Sequence, residues 1–424
     1  MTRAVFTSLQ GGDALAASVI GMIERAGDAA AAGARVELQA MCFAFTDRRI
    51  AQALVDLCHA HPQLTLRIIA DWSQSARGAP TVLESMADEG LRNLFIKFKL
   101  DVPYYADEDG RLRYSYGASR GMLHHKTLLL VIDGQPQAMT LGSYNWTARG
   151  RQAYENLVLT EDDAILCPFA EEFSALWADH RLTAATERTR HIMARLKSEA
   201  AQGHDLHTPE RLADILGVGM AGDRSVPGPR RLADAAVMVA FSGRSPAAKT
   251  ATAGHAPRND RRAIELLRPS GARKPAPLTL NTLGLEAIRG VPGGASLRVA
   301  MYALSARVPE FAALIEAAQR DVRVELLLDG TIGARTAEGL RDLAARQGLP
   351  MTVATTRRRM HQKYLCCLET GLVLSGTANM TEDATTRHSD HRILWRKNPA
   401  LAQAFAADFD TISGRVARGG RKVA

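Results

Sequence analysis

No stretch of this 424-residue chain reaches about 18 consecutive apolar residues, so no helix built from it should span a bilayer. The N-terminus, MTRAVFTSLQGGDALAASVIGMIERAG, lacks the continuous apolar core of a secretory signal and reads as a strand followed by an amphipathic helix. Cysteine is sparse and unpatterned. Cys42, Cys58, Cys167, Cys366 and Cys367 form an odd set with neither zinc-like nor disulfide-framework spacing. Free thiols, a reducing compartment and a cytoplasmic location are therefore expected, with peripheral contact to an anionic membrane left open. What the chain does carry is basic charge: 53 Lys and Arg against 45 Asp and Glu, a formal net charge of +8. That balance favours anionic partners such as nucleic acid, phospholipid surfaces or phosphorylated substrates.

The chain also repeats itself. VELQAMCFAFTDRRIAQALVDLCHAHPQLTLRIIAD, Val36 to Asp71, reads as strand, helix, strand, and LRVAMYALSARVPEFAALIEAAQRDVRVELLLD, Leu297 to Asp329, repeats that order and again ends in Asp. Short apolar strands flanking a helix-period segment fit a βαβ crossover, and strands this apolar suggest cover on both faces. Each half also opens alike, with RAVFTSLQGG at Arg3–Gly12 and VMVAFSGRSP at Val237–Pro246. The expected fold class is α/β: two similar halves, each a mixed, mostly parallel sheet flanked by helices, packed about a pseudo-twofold axis. The expected domains are an N-terminal half over 1–185, a helical connector over 186–232, and a C-terminal half over 233–424. An irregular Gly-, Pro- and Arg-rich insertion falls at about 243–277, and the basic tail SGRVARGGRKVA should fray.

After each βαβ unit comes a hairpin. The first lies within MLHHKTLLLVIDGQPQAMTLGSYNWTARG, Met122 to Gly150, and the second is MHQKYLCCLETGLVLSGTANMT, Met360 to Thr381. His124 and Lys126 are two apart, as are His361 and Lys363, so on a strand each imidazole and ammonium share a side. The return strands end in Gly142-Ser143-Tyr144-Asn145 and Gly376-Thr377-Ala378-Asn379, which bring hydroxyl and amide groups to the same end of the ladder. Each half thus offers a cation, a titrating ring and neutral donors, a cradle for a phosphate oxygen. Two halves about one axis would set two imidazoles on opposite sides of one phosphorus, one attacking and one protonating the leaving oxygen.

These hairpins resemble the signature of the phospholipase D superfamily, His-x-Lys-x4-Asp followed by x6-Gly-Ser/Gly-x-x-Asn, and the similar order of strands and helices carries the resemblance over most of the chain. The resemblance implies a phosphodiesterase without a cofactor or metal. It makes His124 the nucleophile that forms a phosphohistidine and His361 the general acid, then base. Lys126, Asn145, Lys363 and Asn379 would contact phosphate, with Ser143 and Thr377 on the substrate side in support. The pattern departs at the aspartate. Asp133 follows Lys126 by seven residues rather than five, so the usual position falls on Val131; in the second half it falls on Leu368, and Glu369 follows. A first hairpin longer by one pleat, and a bulge in the second, would accommodate both. Glu155 and Asp390, ten and eleven residues beyond the asparagines, each open an apolar strand, where family members use an acidic side chain to orient an imidazole.

Other residues carry two readings each. Arg357, Arg358 and Arg359, just before His361, are either a solvated basic face or an anion-binding one. Trp146 either stacks on a substrate or packs beneath its hairpin. Tyr104, Tyr105, Tyr114 and Tyr116 either line a groove or decorate a surface loop. His125 faces away from His124 and should pack, as should Cys366 and Cys367. His388 and His391 flank Asp390, but with Asp390 in another role and no cysteine nearby, no metal site is expected. A phospholipid headgroup is the favoured substrate, with a metal-independent nuclease and a catalytically impaired anion-binding module as alternatives. Both motifs lie in one chain, so a monomer would suffice.

Overall fold

A computed structural model describes residues 2–71, 81–99, 104–106, 112–114, 122–179, 182–183, 236–242, 279–386 and 388–420. The expected connector over 186–232, the insertion over 243–277 and Tyr116 lie outside these residues.

The first half runs β1 (Thr2–Phe6), α1 (Gly12–Ala31), β2 (Val36–Cys42), α2 (Arg48–Ala60), β3 (Thr65–Asp71), α3 (Val82–Asp88) and β4 (Leu94–Lys99). A two-stranded ribbon follows, β5 (Tyr104–Ala106) with β6 (Leu112–Tyr114). The motif hairpin is β7 (Lys126–Ile132) and β8 (Gln135–Gly142), succeeded by β9 (Asn156–Thr160), α4 (Asp163–Asp179) and the two-residue β10 (Leu182–Thr183). The second half repeats the series: β11 (Val237–Phe241), α5 (Leu280–Arg289), β12 (Ser296–Met301), α6 (Pro309–Gln319), β13 (Arg323–Asp329), α7 (Ala334–Gln347) and β14 (Met351–Thr356). Its hairpin is β15 (Lys363–Cys367) and β16 (Leu372–Gly376), then α8 (Glu382–Thr386), β17 (His391–Trp395) and α9 (Pro399–Gly420).

Local chemistry sets these boundaries. The Asp47 carboxylate accepts from the Arg49 amide at the start of α2, whose buried Ile50, Leu54, Leu57 and Cys58 recur at helical spacing. Thr81 with Glu84, and Thr279 with Thr282, form reciprocal caps on α3 and α5. α7 ends at Gly348, whose φ of 62° suits a residue without a side chain.

The strand orders are β1-β9-β8-β7-β2-β3-β4-β10 and β11-β17-β16-β15-β12-β13-β14, so within these two sheets every described strand but the short β10 has a counterpart. Both sheets are mixed, as expected, but the parallel share is smaller than expected. Among the described strands, only β2-β3-β4 and β12-β13-β14 run parallel, joined by helical crossovers. The motif hairpin must return antiparallel, and the opening strands also pair antiparallel, β1 with β9 and β11 with β17.

Each sheet is buried on both faces. The outer face of the first packs on α1 and α2 through Leu38, Leu66, Leu128 and Leu130, and that of the second on α5 and α6 through Leu297, Val299, Val324 and Leu365. The inner faces share one central core with α4 and α9, in which Phe169 and Phe173 meet Phe6, Ile393 and Phe405. Contacts across the halves are reciprocal: α4 touches β11 and α9 touches β1, while Leu123 bridges Ser389 and Tyr154 bridges Met360. Reciprocity of this kind is what a twofold relation produces. The tail expected to fray instead continues α9 to Gly420, because Ile412 is buried in the central core, Val416 packs on it, and Arg415 donates to the Ser8 carbonyl at 2.9 Å.

One buried ion pair ties this frame to the motif loops. Arg392 contacts Glu310 at 2.5 Å and donates to the carbonyls of Leu280 and Asn379. Arg392→Ala would strand the Glu310 carboxylate, so denaturant unfolding should show a loss of about 3–5 kcal/mol.

Candidate active site

The two His-x-Lys segments meet where the halves touch, and each is set by its own βαβ unit. Asp71, the last residue of β3, accepts from the Leu123 amide at 2.8 Å; Asp329, the last of β13, accepts from the Met360 amide at 3.0 Å. The aspartate that closes each crossover therefore fixes the residue immediately before each histidine. The next bonds cross the boundary. The His124 amide donates to the Ser389 carbonyl at 2.9 Å, and the His361 amide donates to the Tyr154 carbonyl at 3.0 Å.

The carboxylates are exchanged in the same way. His124 Nδ1 and Asp390 Oδ1 are hydrogen-bonded at 2.6 Å, and His361 Nδ1 lies 2.7 Å from Glu155 Oε1. Each imidazole of one half is thus held by the acid of the other. Neither half alone pairs its motif histidine with a carboxylate. Lys126 and Lys363 donate to the carbonyls of His124 and His361, at 2.5 Å each, which turns both ammonium groups toward the motif loops.

The acids are clamped by residues that sequence reading passed over. Thr7 Oγ1 accepts from the Glu155 amide at 2.9 Å, and Ser242 Oγ accepts from the Asp390 amide at 2.7 Å. Thr7 and Ser242 each follow the opening strand of their half, so the short likeness of RAVFTSLQ to VMVAFSGR was the available signal. Ser143 and Thr377, assigned to substrate, are fully buried and committed elsewhere. Their hydroxyls accept from the amides of Asn156 and His391, the residues after the two acids. Gly142 and Gly376 permit this: a Cβ there would lie 2.6 Å from the Asn156 carbonyl oxygen and 2.2 Å from that of His391.

Aromatic rings flank the imidazoles symmetrically. Phe43 stands edge-on to His124 at 5.4 Å and Tyr302 is tilted against His361 at 5.1 Å, with Lys126 and Lys363 over the respective rings. Both aromatics occur just past the ends of β2 and β12, in MCFAF and AMYAL, a correspondence hidden by the change of residue type. Asn145 and Asn379 lie in the loops beyond the return strands, and the side-chain carbonyl oxygen of each is buried without a partner.

The three arginines separate. Arg357 is exposed. Arg358 is a structural tie, donating to the Ala153 carbonyl at 2.9 Å and stacking on Tyr154. Only Arg359 reaches the site: its guanidinium lies over Tyr302, and its charge acts on His361, Lys363 and Glu155. Trp146 packs beneath its hairpin, edge-on to Phe45 in the outer core. Tyr104, Tyr105 and Tyr114 belong to the β5–β6 ribbon. Cys366 and Cys367 are core residues. His125 turns away from His124 and stacks on His391 at 5.2 Å.

The displaced acids have equivalent uses. Asp133, at φ 51°, forms a two-residue turn with Gly134, and its carboxylate accepts from the Arg35 amide at 3.0 Å. Glu369 accepts from the Ser296 amide at 3.0 Å. Each closes its hairpin onto the start of the neighbouring strand. The register irregularity lies at Leu130/Val131 in the first hairpin, whereas the second is regular.

Burial dominates the electrostatics, and it acts differently on the two pairs. Burial pushes His124 well below its ordinary pKa, helped by the Lys126 and Lys363 charges and opposed by Asp390. Burial would raise Asp390, but His124, by charge and hydrogen bond, and His388 outweigh it and hold the carboxylate well below its usual range. In this pair the carboxylate is the ionised member, hydrogen-bonded to the His124 ring. Burial also drives His361 well down, with Lys363, Lys126 and Arg359 acting the same way. Glu155, however, is raised by burial to about 8 in spite of Lys363. Glu155 therefore holds a proton below about 8, where Asp390 does not. Burial lowers Lys126 to about 8 and Lys363 well below its ordinary value.

A duplicated α/β frame with a His-x-Lys hairpin in each half, the two joined across one boundary, defines a phosphodiesterase fold of the phospholipase D class. The family model described as "Cardiolipin synthase, PLD-like domain" matches residues 29–177 and 294–413, more than half of the sequence, and the chain belongs to that family. It is similar to the mitochondrial cardiolipin hydrolases of Xenopus laevis and Xenopus tropicalis, with 29% and 28% identity over 144 residues. Those matches cover 32% of this chain and 64% of each relative's length. The fold is similar to the crystal structure of phosphatidylserine synthase from Haemophilus influenzae Rd KW20, with a TM-score of 0.58 and 13% identity over 96% of this chain and 86% of that one. Among the described residues no helix is long and apolar enough to cross a membrane.

Proposed function

We propose that this phosphodiesterase cleaves or exchanges a phospholipid headgroup through a covalent phosphohistidine on His124. The observation that carries the proposal is the exchanged pair of imidazole–carboxylate contacts, His124 with Asp390 and Glu155 with His361. In the first step a ring nitrogen of His124 bonds to phosphorus and the phosphorus–oxygen bond of the leaving alcohol breaks. The proton held by the His361–Glu155 pair goes to that oxygen. In the second step His361 takes a proton from water or an alcohol, which attacks phosphorus and releases His124. Lys126, Lys363, Asn145 and Asn379 would stabilise the charge on the non-bridging oxygens. The protonation difference between the pairs supports this division of labour: the side with the ionised acid attacks, and the side with the spare proton donates.

The lipid reading is supported by the cardiolipin-directed names of the family model and of the curated relatives. A metal-independent nuclease is the second reading, supported by the net charge of +8. The test offers mixed phospholipid vesicles, and in parallel single- and double-stranded DNA and RNA in EDTA. Released headgroup or phosphatidic acid, absent in His124→Ala, is the expected result. Cleavage of polymer with inert vesicles would transfer the assignment to nucleic acid.

The pH profile follows from the same pairs. Because burial raises Glu155 to about 8, the acid pair is loaded below that pH and empties above it, so kcat/KM should fall on the alkaline side of about 8. Glu155→Gln removes the carboxyl that holds this proton up to about 8 and leaves it to His361, which burial drives well down. Its alkaline limb should therefore move to lower pH in a pH–rate profile; an unmoved limb would detach Glu155 from the acid.

A further inference from the structure

The nucleophile side has a neighbour that the acid side lacks. His388, two residues before Asp390, sets its ring 5.7 Å from that of His124, and its Nδ1 lies 3.5 Å from Asp390 Oδ2. The corresponding position before Glu155 is Ala153. Asp390 is fully buried; its Oδ1 serves His124, while Oδ2 has no hydrogen-bond partner, and neither has the buried Nδ1 of His388. One potential ligand atom from each of His124, His388 and Asp390 falls within 4.8 Å of the others. Two imidazoles and a carboxylate form a borderline-soft donor set with an open fourth position, the composition that suits Zn²⁺.

We propose that His124, His388 and Asp390 form an inhibitory Zn²⁺ site, in which the metal occupies the nucleophile and switches turnover off. Bond lengths of about 2.0–2.2 Å require the donors to draw closer than they stand here. The His388 side chain, 11% exposed, offers both the movable ligand and the entry path. Metal binding blocks the reaction through either nitrogen of His124. At Nε2 it takes up the attacking lone pair; at Nδ1 it breaks the hydrogen bond to Asp390. No electron is transferred, and a proton leaves only if the bound nitrogen carried one. Inhibition rests on the proposed role of His124, whereas metal binding does not.

The test uses the full chain, stripped with EDTA and dialysed, together with His388→Ala and His388→Gln, each checked for folding by circular dichroism. Co²⁺ is titrated while visible absorption is followed, Zn²⁺ is used as competitor, and hydrolysis of bis(p-nitrophenyl) phosphate is measured in parallel. The expected result is tetrahedral Co²⁺ absorption at one equivalent, displaced by Zn²⁺. Zn²⁺ inhibition should be reversible with EDTA, and the half-inhibitory Zn²⁺ concentration should rise on the order of tenfold or more in both variants, relative to each one's own uninhibited rate. Absence of the Co²⁺ band, or equal Zn²⁺ sensitivity in all three proteins, would overturn the site. A His388-dependent band in a protein inactive on every phosphodiester would instead retain the metal site and remove the proposed function.

Discussion

His124→Ala should lower turnover by on the order of 10⁴-fold or more on every phosphodiester tested, whatever its leaving group. The buried imidazole is held by the Asp390 carboxylate, and it is the group that bonds to phosphorus in the proposed first step. His361→Ala should be discriminating. With an alkyl leaving group, such as a lipid headgroup, the departing oxygen needs a proton and the loss should be comparable. With p-nitrophenol, which leaves as a stable anion, the first step should persist as a burst of one equivalent and the second step should stall. Stopped-flow absorbance on bis(p-nitrophenyl) phosphate separates these cases. A burst in His124→Ala, or none in His361→Ala, would reverse the two roles.

The second large effect belongs to the acid of the nucleophile pair. Asp390→Asn keeps the size of the side chain but can offer an amide N–H to His124 Nδ1, which favours the tautomer protonated on Nε2 and removes the attacking lone pair. A loss of about 10³–10⁴ in kcat is expected across the whole pH range, by analogy with other carboxylate–imidazole pairs. That uniform loss distinguishes it from Glu155→Gln, whose main signature is a displaced alkaline limb. The stability of Asp390→Asn should be followed alongside, because the same carboxylate also faces His388. A thermally intact Asp390→Asn protein with near-normal kcat would show that orientation by this acid is dispensable.

The sequence made the frame legible because duplication is visible at several levels together. The crossovers, both His-x-Lys pairs, both asparagines and the two downstream acids all fall at matching places. Hidden from it were facts that exist only across the boundary between halves. Nothing in the order of residues says that Glu155 serves His361 rather than His124, since the exchange is a property of packing. Phe43 and Tyr302 escaped for another reason: equivalent positions hold different residue types. Arg358 and Arg359 are adjacent in sequence, yet backbone carbonyls of the first half capture one while Tyr302 receives the other. Ser143 and Thr377 read as substrate-side residues because they stand beside the asparagines, but both are fully buried, and their oxygens accept from the strands that carry the acids. The share of parallel pairing was overestimated because crossovers are conspicuous in sequence, whereas the antiparallel return of the opening strands is long-range.

The proposed covalent chemistry is tested most directly by isolating its intermediate. His361→Ala is mixed with bis(p-nitrophenyl) phosphate, quenched without acid, digested and read by mass spectrometry. A p-nitrophenyl phosphate adduct on the peptide containing His124, absent when His124 is also replaced, is the expected result. Turnover with neither histidine modified, or an adduct found in wild-type protein on His361 instead, would contradict it.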